Sequence, residues 1–128
     1  ADESAENSPA KPSRGIDWSK VVVQMAGDEE LAREVVAVFL QEGPPMIEQM
    51  EQAISQANAA LLKRMAHTFK GSCGYFAMER PYELSWQLEK LGTSGDFAAA
   101  APCLQELRAE MVHFLPLLEE FRRAAPVS

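Results

Sequence analysis

A chain of 128 residues, 47% hydrophobic and 24% charged, suits one folded domain with a single core rather than two. Its formal net charge of -7 argues against a nucleic-acid partner, because phosphate backbones require clustered Lys and Arg. No apolar run approaches the roughly 20 residues that cross a bilayer and the first residues lack the apolar stretch of a signal peptide, so no membrane insertion and a cytoplasmic setting are expected.

Residues 1–15, "ADESAENSPAKPSRG", hold Pro, Ser, Gly, Ala and mixed charge without a large apolar side chain. Such a segment cannot offset its own ordering entropy and is expected to be a flexible linker. The chain begins with Ala rather than Met, so it is either processed or cut from something longer; the composition favours a tether to a preceding domain. The folded part is expected over residues 16–124, with a disordered tail at 125–128.

"IDWSKVVVQM", from Ile16, offers Asp17 or Ser19 as a cap and predicts a short helix or lid. From Asp28, a second N-cap, "DEELAREVVAVFLQE" places Leu31, Val35, Val38 and Phe39 on one face, with acidic residues in the first turn. Gly43–Pro45 is expected to interrupt that helix, since each proline removes a backbone donor. Another helix, or the continuation of a kinked one, then carries Met46, Ile47, Met50 and Ile54 inward. Asn58 caps a helix to about Phe76, with Leu62, Met65, Phe69, Cys73 and Phe76 inward. Pro81 fits the first turn of the next helix, whose apolar line is Leu84, Leu88 and Leu91 and whose end is marked by Gly92. The last helix starts at Asp96 or a few residues on. Its Leu104, Leu107, Met111, Phe114, Leu118 and Phe121 repeat in alternating steps of three and four, the pattern of a bundle seam. Pro116 falls on its outer face. The expected fold is all-α, an antiparallel four-helix bundle with one additional short N-terminal helix.

Cys73 and Cys103 are far apart, without a C-x-x-C spacing. They could pair, but free buried thiols are the commoner outcome in a cytosolic helical protein.

The stretch "AHTFKGSCGYF", residues 66–76, puts two glycines inside a helix, each costing roughly 1 kcal/mol relative to Ala. At 100° per residue, the inward line of that helix lies roughly 160–240° from His67, whereas Lys63, Lys70, Gly71 and Gly74 fall within roughly 60° of it and Arg64 at the edge. A neutral imidazole has a ring nitrogen with a free lone pair and can act as a nucleophile. Lys70 can meet an anion placed on that nitrogen. Missing side chains at Gly71 and Gly74 let another protein come close. The glycines could instead permit close helix packing, but their angular position is opposite the core. A surface histidine among solvated cations is also a common arrangement without a role. Nucleophile, cation and clearance together fit a group that carries a phosphoryl.

These residues, with "ELSWQLEKL" downstream, resemble the histidine-containing phosphotransfer (HPt) domain, whose signature is a histidine followed at +3 by Lys, at +4 by Gly and commonly at +5 by Ser. His67, Lys70, Gly71 and Ser72 match each position. The resemblance runs from about Asp28 to Phe121. It implies a four-helix bundle whose histidine takes a phosphoryl group from the aspartate of one receiver domain and gives it to a response-regulator receiver domain. It further implies that His67 is phosphorylated, that Lys70 is the cation near the phosphoryl, and that Gly71 gives access. Glu89, at +22, matches a position where some members hold a Glu or Gln against the imidazole. Lys63, Arg64, Gly71 and Gly74 are then the expected receiver-docking residues. Many members have Gly ten residues after the histidine, where this chain has Ala77, which bears on the turn and on where Glu89 falls. The chain is expected to be a monomer and a carrier rather than an enzyme, with no cofactor of its own and Mg²⁺ on the receiver. It is read as the C-terminal segment of a hybrid sensor kinase, with a stand-alone phosphotransfer protein and, behind it, an N-terminal domain of a chemotaxis kinase as the alternatives.

Two other readings stand beside this one. A metal-binding bundle would need two Glu-x-x-His pairs, and only Glu110–His113 is present, because Arg64 stands three residues before His67. A helical docking module would bind a signalling partner with His67 unphosphorylated. No phosphate-cradling Gly-rich loop follows a strand, so phosphorylation from ATP by this chain alone is not expected.

Overall fold

The structure, a computed structural model, describes residues 15–124. The expected linker, Gly15 apart, and the expected tail lie outside the described residues. Five helices are present among the described residues and no strand: α1 (Trp18–Gln24), α2 (Glu29–Ser55), α3 (Ala59–Tyr75), α4 (Glu79–Ser94) and α5 (Phe97–Arg123). Helix starts follow local chemistry. Asp17, Asp28, Asn58 and Asp96 each accept a hydrogen bond from the backbone N–H three residues on, satisfying one of the donors that a helix N-terminus leaves unpaired.

The long helices form a ring in which α2 packs on α3 and α5, and α4 on α3 and α5. Short turns make sequence neighbours antiparallel, the geometry of a four-helix bundle. Its core includes Phe69, Phe76, Phe114, Met50, Leu62, Leu84, Leu88, Leu104 and Leu107, all fully or almost fully buried. Phe39 meets Phe69 and Phe76 with ring centroids 5.4 Å from each, tilted rather than stacked, as aromatic quadrupoles prefer. Helix α1 lies over one end of the bundle. Trp18 stacks on Phe121 at 3.9 Å, Arg33 sits over the same Phe121 ring, and Gln24 Nε2 donates to the carbonyl of Tyr75 at 2.8 Å.

Three expectations are corrected. Helix α2 is not interrupted at Gly43–Pro45 but runs through both prolines. Gly43 has no Cβ to collide with the following proline ring, and the prolines face outward, so no core contact is lost. Phe39 lies over Gly43 so closely that an added Cβ would stand 3.1 Å from the ring.

The buried line of α2 is Ala32, Val36, Phe39, Gly43, Ile47, Met50 and Ala53, one residue round from the expected Leu31, Val35 and Val38. Leu31 and Val38 are exposed and Val35 is half-buried. The small side chains at Ala32, Gly43 and Ala53 let the backbone approach the core, a preference that ranking residues by hydrophobicity overlooks.

Helix α4 passes Gly92 and stops at Gly95, which takes the left-handed conformation at φ 74°. Gly92 serves packing instead, being buried against the backbone of Lys63. At the end of α3, Ala77 adopts the left-handed region at φ 56°, where glycine is the easier residue. The turn therefore closes as it would with Gly, and Glu89 keeps its place on α4.

Both cysteines are free and buried. Burial pushes the Cys73 thiol up to about 12, with the Ser85 hydroxyl opposing weakly, so it stays protonated and inert at neutral pH.

Candidate phosphohistidine site

The α3 sequence turns one face inward through Leu62, Ala66, Phe69 and Cys73, and this fixes the opposite face toward solvent. His67 stands there with its side chain 66% exposed. Across the antiparallel contact, α4 brings Glu89 alongside. His67 Nδ1 lies 2.9 Å from Glu89 Oε2, and Lys70 Nζ lies 2.8 Å from Glu89 Oε1. The Lys70 contact has the distance of a hydrogen bond without its alignment, so it acts as an ion pair. One carboxylate thus holds both the imidazole and the ammonium.

This arrangement sets the chemistry of the ring. A proton on Nδ1 donates to Glu89, which leaves the lone pair on Nε2, the nitrogen away from the carboxylate. Lys70 and Glu89 are both largely shielded, at 19% and 18% side-chain exposure, so their attraction is less screened than that of a surface pair. The Lys70 ammonium is the main influence holding the Glu89 carboxyl below the usual carboxylate range; partial burial opposes it, and the His67 hydrogen bond adds to it. A carboxyl whose folded-state pKa is depressed stabilises the fold above its unfolded value and loses that contribution as pH falls through the folded one. Acid titration should therefore protonate Glu89 below the ordinary Glu midpoint, weaken the α3–α4 contact in that window and cost stability there. Following the Glu89 carboxyl carbon by NMR checks this, and the stability loss should be absent in Glu89→Gln.

Gly71 and Gly74, paired by their angular position, separate in the structure. A Cβ at Gly71 would meet nothing within 4 Å, so the space beside His67 is open. A Cβ at Gly74 would stand 3.2 Å from the Tyr82 ring, so the room it leaves is filled by α4. Gly74 accordingly has a packing reason that the helical projection of α3 alone did not reveal. Gly71→Gln should stabilise the helix by up to about 1 kcal/mol, because no neighbour obstructs it. The same change should slow exchange with a partner roughly 10- to 100-fold through misplacement of the reacting groups. A melting curve and a transfer time course read the two effects separately.

Lys63 and Arg64 are exposed one turn before His67. Gly92, expected only as a helix stop, sits three residues beyond Glu89 and lets α4 approach α3; a glycine one turn from a site residue inside an apolar repeat was the available signal. Among the described residues, no group of three or more His, Cys, Asp or Glu side chains could hold a metal ion, and no helix is long and apolar enough to cross a membrane.

A helical bundle that displays an oriented imidazole, backed by a carboxylate and an ammonium, defines a histidine-based phosphotransfer domain. Comparison with known proteins agrees: residues 34–115 match the family model described as Hpt domain. The chain belongs to the Hpt domain family and is a phosphorelay intermediate. It is 26% identical over 114 residues to the signal transduction histidine-protein kinase BarA of Shigella flexneri and, equally, to BarA of Escherichia coli K12. Those alignments cover 89% of this chain but only 12% of either kinase. The fold is similar to the crystal structure of histidine-containing phosphotransfer protein B (HptB) from Pseudomonas aeruginosa PAO1, with a TM-score of 0.80, 16% identity, and coverage of 91% of this chain and 100% of that one.

Proposed function

We propose that His67 is the residue that carries the phosphoryl group, taken from the aspartyl phosphate of one receiver domain and passed to a response-regulator receiver domain. The observation that carries this reading is the Nδ1–Glu89 contact of 2.9 Å on an imidazole that is otherwise exposed. In the accepting direction, the Nε2 lone pair attacks phosphorus in line with the aspartyl oxygen. The N–P bond forms, the P–O bond breaks, and its electron pair returns to the aspartate as carboxylate. The proton stays on Nδ1 throughout. The ring therefore gains positive charge as the bond forms, and Glu89 is its counter-ion. In the donating direction the phosphoryl leaves and the neutral Nδ1–H tautomer is restored, so no proton has to be moved in either step. Lys70, one turn beyond His67, is placed to meet phosphoryl oxygens.

Catalysis of this kind is mainly positioning and charge neutralisation, with Mg²⁺ brought by the receiver. In this reading the chain is a monomeric cytoplasmic carrier without an ATP site or cofactor of its own. Lys63, Arg64 and Gly71 form the ground on which a receiver settles. The BarA relatives are histidine-protein kinases far longer than this chain, which supports reading it as the phosphotransfer part of a hybrid sensor kinase. The test is incubation with a receiver domain phosphorylated on its aspartate. The wild-type chain should acquire an acid-labile, base-stable label that peptide mapping assigns to His67. Label at any other residue, or none from any receiver tried, overturns the proposal.

A further inference from the structure

The His67 ridge has an apolar flank on either side, and they differ in charge. Toward α2, Val38 and the half-buried Val35 and Met46 border a groove of about 320 Å³ beside Gly71, with Glu42 in its wall. Glu42 is the acidic residue of α2 at this groove and no cation of α2 stands beside it there, whereas Glu29 pairs with Arg33 and Glu48 and Glu51 pair with Arg108 on α5. Toward α4, Tyr82 and Trp86 border a groove of about 470 Å³ beside Gly74. Trp86 is 49% exposed, and Lys90 Nζ lies 4.2 Å from the centre of its ring. Helix α3 holds Lys63, Arg64 and Lys70 with no acidic residue, and Lys90 extends that cationic ground onto α4. The acidic side chains of α4 are Glu79 and Glu83 toward the far end, where Glu83 pairs with Arg80 at 3.3 Å, and Glu89, which is taken up by Lys70 and His67 and leaves Lys63, Arg64 and Lys90 as the cations facing a partner.

We infer that Trp86, held by Lys90, is the anchor on which a receiver domain docks, and that the receiver leans toward the α3–α4 edge rather than toward α2. This rests on the proposed function. A receiver that presents an aspartyl phosphate and the carboxylates that hold its Mg²⁺ is anionic where it meets His67. The α2 flank repels such a surface, and the Lys90 end of the α4 flank attracts it. Reach is sufficient. A partner of ordinary size covers roughly 800 Å² of this chain, a disc about 16 Å in radius, while Trp86 is within one turn of Glu89, about 5 Å along α4. Tryptophan is also the side chain most often found to dominate an interface, because it offers a large apolar face at little conformational cost. The cation over its ring restrains Trp86 further before any partner arrives.

The experiment compares two donors: the receiver domain that labels the wild type, and phosphoramidate, a small donor that needs no docking surface. For Trp86→Ala, receiver-dependent kcat/KM should fall about tenfold or more relative to the phosphoramidate-dependent rate, chiefly through KM. Trp86→Phe should recover most of the loss. Val38→Ala, on the other flank, should change the ratio less than about threefold. Circular dichroism and melting curves establish that each variant is folded. An unchanged ratio in Trp86→Ala, a larger loss in Val38→Ala, or an equal fall with both donors overturns the inference. Labelling of the wild type at His67 by phosphoramidate but by no receiver would overturn the functional reading, and the docking surface with it.

Discussion

His67→Ala is expected to abolish phosphoryl transfer from a receiver domain while leaving the bundle folded. The side chain supplies the only atom the mechanism asks this chain to bond, Nε2, and neither Glu89 nor Lys70 can substitute. Glu89 is an acceptor directed at Nδ1, and Lys70 is a protonated ammonium committed to Glu89. The fold should tolerate the change because His67 is 66% exposed and Ala is the better helix former by about 0.6 kcal/mol, which offsets the lost hydrogen bond to Glu89. The measurement is transfer of label in wild type and variant, with melting curves beside it. The chain's other histidine, His113, provides an internal comparison on α5. Label that survives in His67→Ala, at His113 or elsewhere, would remove His67 from the centre of the mechanism.

The largest structural effect is expected at Gly92. A Cβ there would stand 2.9 Å from the backbone nitrogen of Lys63, 3.2 Å from its Cα and 3.3 Å from Leu62 Cγ. Two of these atoms belong to the α3 backbone, so no rotamer change relieves the contact and the helices themselves must separate. Gly92→Leu should therefore destabilise the bundle by on the order of 2 kcal/mol, the overpacking cost outweighing the roughly 1 kcal/mol gained in helix propensity. The melting temperature should drop by roughly 10 °C. Separation at this level also withdraws Glu89, three residues earlier on α4, from His67. The folded variant should then transfer phosphoryl more slowly, and its His67 should lose the Nδ1–H preference, which nitrogen chemical shifts report. A variant with unchanged melting temperature and unchanged transfer would show that α3 and α4 do not need this close approach.

The sharing of Glu89 joins these two results. Lys70 was expected as a cation waiting for the phosphoryl, yet in the structure it is paired with the carboxylate that also holds the His67 imidazole. Its charge holds the Glu89 carboxyl ionised, and an ionised Glu89 fixes the imidazole. Lys70 is thus part of the preparation of His67 as well as a neighbour of the group it would receive.

Much of this was legible in the chain itself. Aspartate or asparagine ahead of an apolar repeat placed the starts of α2 and α3 and offered the right cap, beside an alternative, for α1 and α5, because a cap depends on a side chain and a backbone amide only three residues apart. The outward direction of His67 followed from the 3.6-residue period of α3, and with the spacing of Lys70 and Gly71 it identified the family. The burial line of α2 was misread because small residues at Ala32, Gly43 and Ala53 mark close approach, which a neighbouring helix decides. The interruption expected at the α2 prolines and the stop expected at Gly92 of α4 failed for the same reason. Pro44 and Pro45 carry a break signal that outward placement cancels, and Gly92 carries a stop signal although its missing side chain makes room for α3.

What the sequence determined was therefore whatever rests on neighbours within a turn or two: helices, caps, the exposed face of α3 and the placing of His67 on it. The tertiary structure alone decided what lies between helices. It fixed the contact between Nδ1 and Glu89, to which only the resemblance had pointed, drew Lys70 to the same carboxylate, filled the space at Gly74 with Tyr82 and left Trp86 uncovered beside the site. Those contacts depend on the register of α3 against α4, which is fixed by packing at positions such as Gly92 and by the turn at Ala77. Register is a property of two surfaces meeting, so no single helix encodes it.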